Sequence, residues 1–483
     1  MREISKSRTL HGLTWSLFER VGQQGVQFFI SIILARLLLP AEFGMIAMLI
    51  VFISLAHAIL DSGFGSALIQ KQEVKPIYES SIFYFNIVFG IVVAGLFALT
   101  APLIAAFYEI SQLTPIIRWM SLSLIINSFG VVQTALLTKR VDFKTQMKAS
   151  IIATIVSGAV GIILASEGFG VWSLVVQSIS ANLIRTVVLW ILSDWRPLWS
   201  FSFEALEEMF PFGSRILITS LINTVFYNIH YLIIGKLFSP ADLGYYSRAQ
   251  STQQLPSQHI LASTVARVVF PLFASLQDDL IRLKRILRRS ISALALVTFP
   301  LMIGIAFTAR PMVIVLLTEK WLPSVQYLQL LCLVGSFFPL QQVALNCINA
   351  QGRSDLTFRI EILTKILILI TISITFRFGI KAMIYGQVVT AVIAYMIAAI
   401  YLQKLLNYKI IEQLQDLIPS LLIALIMGGV IYSIGFVGIQ SKVLLLIFQV
   451  VAGIISFSSL AYVFKLSSFE ELNQLIRSRS DQS

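Results

Sequence analysis

Long apolar runs alternate with short polar breaks along the whole chain. Each run is about 20 residues long, the length that an α-helix needs to cross about 30 Å of hydrocarbon. The pattern predicts an all-α polytopic membrane protein. Its fourteen predicted spans lie at residues 13–38, 43–69, 80–107, 116–137, 147–165, 170–192, 209–236, 243–270, 291–316, 322–348, 357–376, 380–403, 417–438 and 442–464.

One turn occurs twice, 200 residues apart. The first copy reads LARLLLPAEFGM from Leu34 to Met45, and the second reads IGKLFSPADLGY from Ile234 to Tyr245. Proline ends one helix and sets the turn, and we expect the acid to cap the next helix, where the helix dipole favours negative charge. A second pair of similar segments, FGVWSLV at 169–175 and FGIKAMI at 378–384, extends the repeat to six spans in each copy.

The repeat predicts two parallel six-helix lobes followed by an appendage. We expect an N-lobe of helices 1–6 at residues 1–200, a C-lobe of helices 7–12 at 201–410, and helices 13–14 with a short tail at 411–483. Parallel repeats of this kind place a transport path at the interface of the two halves. The organisation therefore favours an alternating-access transporter.

Composition and charge agree with a membrane location. Only 12% of the residues are charged, against about 25% in soluble domains. With a cytoplasmic N-terminus, 22 lysines and arginines fall in inside loops and 6 in outside loops, so the positive-inside rule predicts that both termini are cytoplasmic. The net charge of +12 comes from these basic loops, which orientation in the membrane already explains. We therefore expect no nucleic-acid partner. The basic stretch Asp278–Ser290 suits either a helix lying on anionic headgroups or a plain topology signal.

Polar side chains inside the apolar runs are the candidate chemistry. A lysine or arginine at the bilayer centre costs about 2.5–3.5 kcal/mol, so such residues must face a wet cavity, find a partner or reach the interface. Arg118 and Arg185 lie close enough to span ends to reach the interface. Spans 1 and 7 carry polar stripes at four-residue spacing, and span 8 is too polar to face lipid; the alternative is hydrogen bonding that holds the bundle together. The predicted cavity residues are Glu19, Arg20, Gln23, Arg215, Asn223, Tyr227, Arg248, Gln254, Gln258, Arg267 and Lys365.

These residue types indicate an anionic, sugar-bearing cargo. Arginine binds phosphate through two hydrogen bonds, and carboxamides and tyrosine can bond sugar hydroxyls. His57 and Asp61 are spaced for proton or ion coupling, although a structural hydrogen bond is the commoner outcome of this spacing. Cys332 and Cys347 lie about 22 Å apart along one helix and cannot pair within it. No metal and no cofactor is expected.

Three motifs carry a resemblance to a known family. LLLPAEFG at 37–44, LDSGFGSALIQ at 60–70 and EGFGVWSL at 167–174 resemble polysaccharide flippases (Wzx-type) of the multidrug/oligosaccharidyl-lipid/polysaccharide (MOP) exporter superfamily, in the exopolysaccharide, colanic-acid and O-antigen branch. The resemblance implies MATE-like lobes around a cationic cavity, in a bacterial inner membrane. It also implies that undecaprenyl-pyrophosphate-linked oligosaccharide is moved from the cytoplasmic to the outer leaflet, with membrane lipids, a polysaccharide polymerase and export machinery as partners.

Three other functions are alternatives to this one. A drug exporter of the same superfamily would need a net acidic cavity for cations, and a lipid II flippase would use the same chemistry as the predicted function. A polysaccharide polymerase or ligase, which is an enzyme, would need a sizeable external loop, and the predicted outside loops near 108–115 and 317–323 are short. We therefore expect a transporter and not an enzyme.

Overall fold

The computed structural model describes residues 22, 24–61, 64–71, 74–466 and 469–470, without the side chains of Asp61, Phe212, Arg215, Thr264, Ala266, Arg267 and Val268. All regular elements in this part of the chain are helical. Among the described residues, ten helices are long and apolar enough to cross a membrane, and the bent pair Leu113–Ser128 and Val131–Lys139 would make an eleventh span. The predicted all-α membrane fold is confirmed.

The predicted number of spans is not confirmed. Predicted spans 1, 8 and 11 correspond to Gln24–Leu37, residues 240–274 and Ser354–Thr375, which are helical but do not meet the same combined criteria of length, hydropathy and number of charged residues. Part of span 1 also lies outside the described residues. A total of fourteen spans therefore stays a prediction.

The chain packs as two compact units, Met1–Ser247 and Arg248–Ser483. Helices that begin in the first unit are α1 (Gln24–Leu37), α2 (Pro40–Asp61), α3 (Phe64–Gln70), α4 (Pro76–Tyr108), α5 (Leu113–Ser128), α6 (Val131–Lys139), α7 (Phe143–Ser166), α8 (Val171–Leu192), α9 (Phe203–Leu237) and α10 (Pro240–Gln254). The rest of the chain contains a π-helical segment (Leu255–Ala262), α11 (Ser263–Ala274), α12 (Leu280–Leu317), α13 (Ser324–Ala350), α14 (Ser354–Thr375), α15 (Ile380–Leu406), α16 (Ile410–Ile434) and α17 (Lys442–Val463). The lobe boundaries expected at residues 200 and 410 stay a prediction.

Each copy of the repeated turn starts a helix and uses its acid as a cap. Glu42 Oε2 accepts a hydrogen bond from the Leu39 amide at 2.6 Å. In the second copy, Asp242 Oδ2 accepts from the Ser239 amide at 3.3 Å, and Ser239 Oγ accepts from the Asp242 amide at 3.1 Å. This reciprocal pair is a capping box, which satisfies amide groups that a helix start leaves without a partner. The capping role predicted for the acid is confirmed.

The two copies of the turn also touch each other. A Cβ atom on Gly44 would lie 1.6 Å from the carbonyl oxygen of Pro240, and one on Gly244 would lie 1.9 Å from that of Pro40. The contact is nearly symmetric, so each glycine leaves room for the backbone of the other turn. We call this end of the first unit, with both turns, the turn end.

Close packing continues from the turn end along α2 and α9. A Cβ atom on Gly235 would lie 3.1 Å from Met48 Cγ, and the Tyr108 hydroxyl donates to the Met48 carbonyl at 3.1 Å. Nearer the surface, Lys236 Nζ lies 2.7 Å from Glu109 Oε1. The hydrogen bond from Lys236 lowers the pKa of the Glu109 carboxyl.

Polar side chains join the helices at the opposite end of the first unit, which we call the basic end. Lys71 Nζ lies 2.6 Å from Glu208 Oε1, and the hydrogen bond from Lys71 lowers the pKa of the Glu208 carboxyl. Lys139 Nζ donates to the Lys71 carbonyl at 2.5 Å. The Trp195 indole donates to Glu79 Oε2 at 2.7 Å, which ties the segment before α9 to the first turn of α4.

The basic stretch Asp278–Ser290 lies within the second unit, where α12 begins at Leu280. Leu283 and Leu287 are fully buried in its core. Arg288 forms two hydrogen bonds with the Asp416 carboxylate, both at 2.8 Å. Leu283 and Leu287 of the apolar side therefore pack against protein, whereas Leu280 is exposed; contact of this stretch with headgroups stays a prediction.

Candidate functional site

A cavity of about 900 Å³ lies within the first unit, between α2 and α9. We call it the α2–α9 cavity. The described residues that line it present hydroxyl, carboxamide and apolar groups and carry no formal charge. They are Ile50, Ser54, Ile216, Thr219, Ser220, Asn223, Thr224, Tyr227 and Asn228.

Helical spacing explains why α9 supplies so much of this wall. Thr219, Asn223 and Tyr227 are four residues apart, so they share one face of the helix. Beside them, Asn228 Nδ2 donates to the Thr224 carbonyl at 2.9 Å, which fixes the carboxamide against its own helix. Two predicted cavity residues, Asn223 and Tyr227, thus line a cavity, while their contact with a cargo stays a prediction.

The polar span 8 begins with α10 and is interrupted by a π-helical turn. Pro256 cannot donate a backbone hydrogen bond, and the chain is π-helical over Leu255–Ala262, a form that often occurs at functional sites. Among the predicted cavity residues here, Arg248 is buried with 7% of its surface exposed, and Gln254 and Gln258 are half-buried. Their contact with cargo stays a prediction.

One carboxamide of this span serves helix packing. Gln253 Nε2 donates to Ser257 Oγ at 2.7 Å, and a Cβ atom on Gly335 of α13 would lie 1.9 Å from Gln253 Nε2. Gln253 therefore bonds within its own helical segment and packs closely against α13, and the alternative of hydrogen bonding between helices stays a prediction.

Of the remaining predicted cavity residues, the structure describes the side chain of Lys365 only. Lys365 Nζ lies 3.6 Å from Glu361 Oε2 on the same helix, α14, so it has a local acidic partner. Glu19, Arg20 and Gln23 lie outside the described residues, as do the side chains of Arg215 and Arg267. The predicted cationic lining stays a prediction.

A second cavity of about 500 Å³ also lies within the first unit, among α2, α3, α5, α6 and α8. We call it the basic-end cavity because α3 and α6, which end at Gln70 and Lys139, form part of its wall. Its lining residues are His57, Gly65, Ser66, Ile69, Asn127, Gly130, Val131, Thr134, Ala135, Thr138, Asn182, Arg185, Thr186 and Leu189.

His57 meets a carboxamide in this second cavity. Its Nδ1 atom lies 3.5 Å from Asn127 Nδ2 at the end of α5. The side chain of Asp61 is not among those that the structure describes, so the predicted His57–Asp61 coupling pair stays a prediction.

Sequence reasoning did not recognise the basic-end cavity. Its position near a span end predicts that Arg185 can reach the membrane interface, and in the structure Arg185 lines this cavity. The available signal was a polar stripe on span 6, where Ser178, Asn182, Arg185 and Thr186 follow helical spacing. The described residues include no group of three or more His, Cys, Asp or Glu side chains suited to a metal ion.

Residues 33–326 match the profile of a family described as polysaccharide biosynthesis protein. Among curated proteins, the chain is 28% identical to the teichuronic acid biosynthesis protein TuaB of Bacillus subtilis over 63% of this chain and 63% of that protein. It is 28% identical to the succinoglycan biosynthesis transport protein ExoT of Rhizobium meliloti, over 68% of this chain and 67% of that protein. It is 26% identical to the lipopolysaccharide biosynthesis protein WzxC of Escherichia coli, over 74% and 73%. The chain thus spans about two thirds of the length of the first two relatives.

Two solved structures share the fold. The lipid II flippase MurJ in an inward closed conformation aligns with a TM-score of 0.78 and 14% identity, covering 94% of this chain and 98% of that chain. An inward-facing multidrug resistance transporter of the MATE family in the MOP superfamily aligns with a TM-score of 0.61 and 12% identity, covering 80% and 98%. The fold expected from the three sequence motifs is confirmed.

Proposed function

We propose, from the premise that the chain belongs to the family of polysaccharide biosynthesis proteins, that it is an alternating-access flippase. Its cargo is an undecaprenyl-pyrophosphate-linked oligosaccharide, the repeat unit of an exopolysaccharide or lipopolysaccharide, which it moves from the inner to the outer leaflet. The names of ExoT and WzxC connect relatives to succinoglycan transport and lipopolysaccharide biosynthesis, which supports a carbohydrate cargo and a role in transport.

The α2–α9 cavity is the observation that carries this proposal. Its hydroxyl and carboxamide groups suit the hydroxyls of a sugar, and its volume of about 900 Å³ lies at the upper end of the range for sites that hold small molecules. The described lining residues include no carboxylate. An exporter of cationic drugs needs such a group, so the wall favours a sugar over a cation.

The proposed location is the cytoplasmic membrane of a bacterium, with both termini on the cytoplasmic side. The excess of lysine and arginine in alternate loops supports this orientation. A polysaccharide polymerase and its export machinery would receive the cargo after transport.

Deletion of the gene in its host tests the proposal. We expect the surface polymer to disappear and the lipid-linked oligosaccharide to accumulate on the inner leaflet. A normal surface polymer, in a host without a second transporter of this family, would contradict the proposal. Arrest of peptidoglycan synthesis with an intact surface polymer would assign the chain to lipid II instead.

A further inference from the structure

We infer that the basic-end cavity is a second binding site, which takes an acidic sugar such as a sugar phosphate. The inference rests on the proposed function, because it identifies this ligand with the head of the lipid-linked cargo. The site would hold that head before it reaches the α2–α9 cavity.

Arg185 supplies the positive charge of this site. It lies seven residues before the end of α8 at Leu192, which corresponds to about 10 Å along the helix. A guanidinium at that depth is costly in hydrocarbon, and it lines a cavity of about 500 Å³ in which an anion could meet it. Arginine suits phosphate and carboxylate groups because its planar head donates two parallel hydrogen bonds.

Hydrogen-bond acceptors stand on the same walls. Thr134 donates its hydroxyl proton to the Gly130 carbonyl at 2.8 Å, and Thr186 donates to the Ile126 carbonyl at 3.3 Å. Each hydroxyl oxygen can still accept a hydrogen bond. The Asn182 amide donates to the Ser178 carbonyl at 3.0 Å, which leaves its Oδ1 atom as a further acceptor.

This combination selects one class of ligand. A simple inorganic anion would be attracted by Arg185 but would leave most of the acceptor oxygens without a donor. A cation would suit those oxygens but would be repelled by the guanidinium. A sugar that carries an acidic group satisfies both, because its hydroxyls donate to the acceptors while its anionic oxygens accept from Arg185.

The cavity also lies where cargo would be loaded. Thr138 in its wall directly precedes Lys139, and the lysine-rich loops at this end are those that the positive-inside rule places in the cytoplasm. On α2, Ser54 lines the α2–α9 cavity and His57 lines the basic-end cavity. They are three positions apart on the helix, about 4.5 Å along its axis, so one helix leads from the second site to the first.

Protection of an engineered cysteine tests the site. Ser66 is exposed and lines the cavity, and both native cysteines are buried, so the variant Ser66→Cys reports on occupancy through its rate of thiol labelling. The full chain in lipid nanodiscs is treated with glucose 1-phosphate, with inorganic phosphate, with glucose, and with a polyprenyl-pyrophosphate-linked disaccharide. We expect both sugar phosphates to slow labelling and the other two probes to have little effect at the same concentration.

Charge variants in the Ser66→Cys background complete the test. Arg185→Gln should weaken protection about 10- to 100-fold, and Arg185→Lys should keep part of it even if Arg185→Gln folds poorly. The matched control is Arg118→Gln, since Arg118 is an exposed arginine on α5 that lines neither cavity; it should leave protection unchanged.

The outcomes separate this site from the proposed function. Equal protection by inorganic phosphate alone, or no protection by either sugar phosphate in a protein that still supports surface polymer, would overturn the site. Protection by glucose 1-phosphate but not by the lipid-linked disaccharide would overturn its assignment to the cargo. Protection by both, together with a normal surface polymer in the deletion strain, would leave the site standing and overturn the function.

Discussion

At the turn end of the first unit two backbones touch, whereas at the basic end ionic side chains and a cavity stand between the helices. Gly44 and Gly244 approach the opposite turn so closely that a methyl group would overlap a carbonyl oxygen. At the basic end, the Lys71–Glu208 pair bridges exposed side chains, and Arg185 lines an open space of about 500 Å³.

The difference shows which end of the unit can change most easily. Where two backbones touch, no side chain can rotate aside to make room. Packed interiors also tolerate little added volume. Exposed ion pairs contribute little stability and separate readily. Helix α2 runs from one kind of contact to the other, and the α2–α9 cavity opens only two residues after Met48, at Ile50. We expect the contact between the two turns, which we call the seam, to stay fixed and the basic end to move.

The largest predicted effect is at this seam. Gly44→Ala and Gly244→Ala should each destabilise the folded protein by about 1–3 kcal/mol, the usual cost of overpacking, because the new methyl group meets a backbone atom. The matched control is Gly95→Ala in the middle of α4, where no described atom lies within 4 Å of the new Cβ position. That variant should gain up to about 0.5–1 kcal/mol, since alanine favours helix over glycine. Thermal unfolding of purified protein in detergent measures both, and equal melting temperatures for Gly44→Ala and Gly95→Ala would contradict the seam.

Sequence alone predicted a good part of this architecture. The apolar runs gave the helices, and the Pro-Ala-acid pattern gave the turns and their caps, since those features depend on neighbours within four residues. The contact between Gly44 and Gly244 was not predicted, because it joins positions 200 residues apart whose proximity depends on the packing of α2 against α9.

The candidate sites show the same difference between residues close together in sequence and residues that only packing brings together. Asn223 and Tyr227 were found because one helix carries the whole stripe. The basic-end cavity was missed because its wall is assembled from five helices, and Arg185 alone looks like a residue near a span end.

The next largest effect concerns the arginines of the predicted cationic path, Arg20, Arg215, Arg248 and Arg267. If they contact the pyrophosphate during transport, each change to glutamine should slow transport about 10- to 100-fold, the value of one charge-assisted hydrogen bond. Lysine should retain part of the activity because it keeps the charge. Surface polymer normalised to folded protein measures this, and full normalised activity in all four glutamine variants would remove the cationic path.

A smaller effect is expected in the α2–α9 cavity. Asn223→Ala removes one neutral hydrogen-bonding group from the wall, so transport per folded molecule should fall by about 2- to 10-fold. Ile222→Ala is the control, since Ile222 is adjacent on α9, exposed and absent from the cavity wall. Equal transport by the two variants, at equal abundance, would mean that the wall does not contact cargo.

The smallest effect concerns the ion pair of the basic end and its dependence on pH. Lys71 lowers the pKa of Glu208 in the folded protein, so the pair stabilises the fold above the usual pKa of a glutamate and loses this contribution as pH falls through the lowered value. The difference in melting temperature between the native chain and Glu208→Gln should therefore be small at neutral pH and shrink on acidification. A difference that grows as pH falls would have the wrong sign for this pair.

The central claim is that the chain moves lipid-linked oligosaccharide between leaflets, and its most direct test is a leaflet-exchange assay. The purified chain is reconstituted in liposomes that contain a fluorescent polyprenyl-pyrophosphate-linked oligosaccharide, and the fraction that a membrane-impermeant quencher can reach is followed over time. We predict exchange well above that of protein-free liposomes, and slower exchange with Asn223→Ala than with Ile222→Ala. Exchange at the protein-free rate, with folded protein shown to be inserted in the liposomes, would contradict the account.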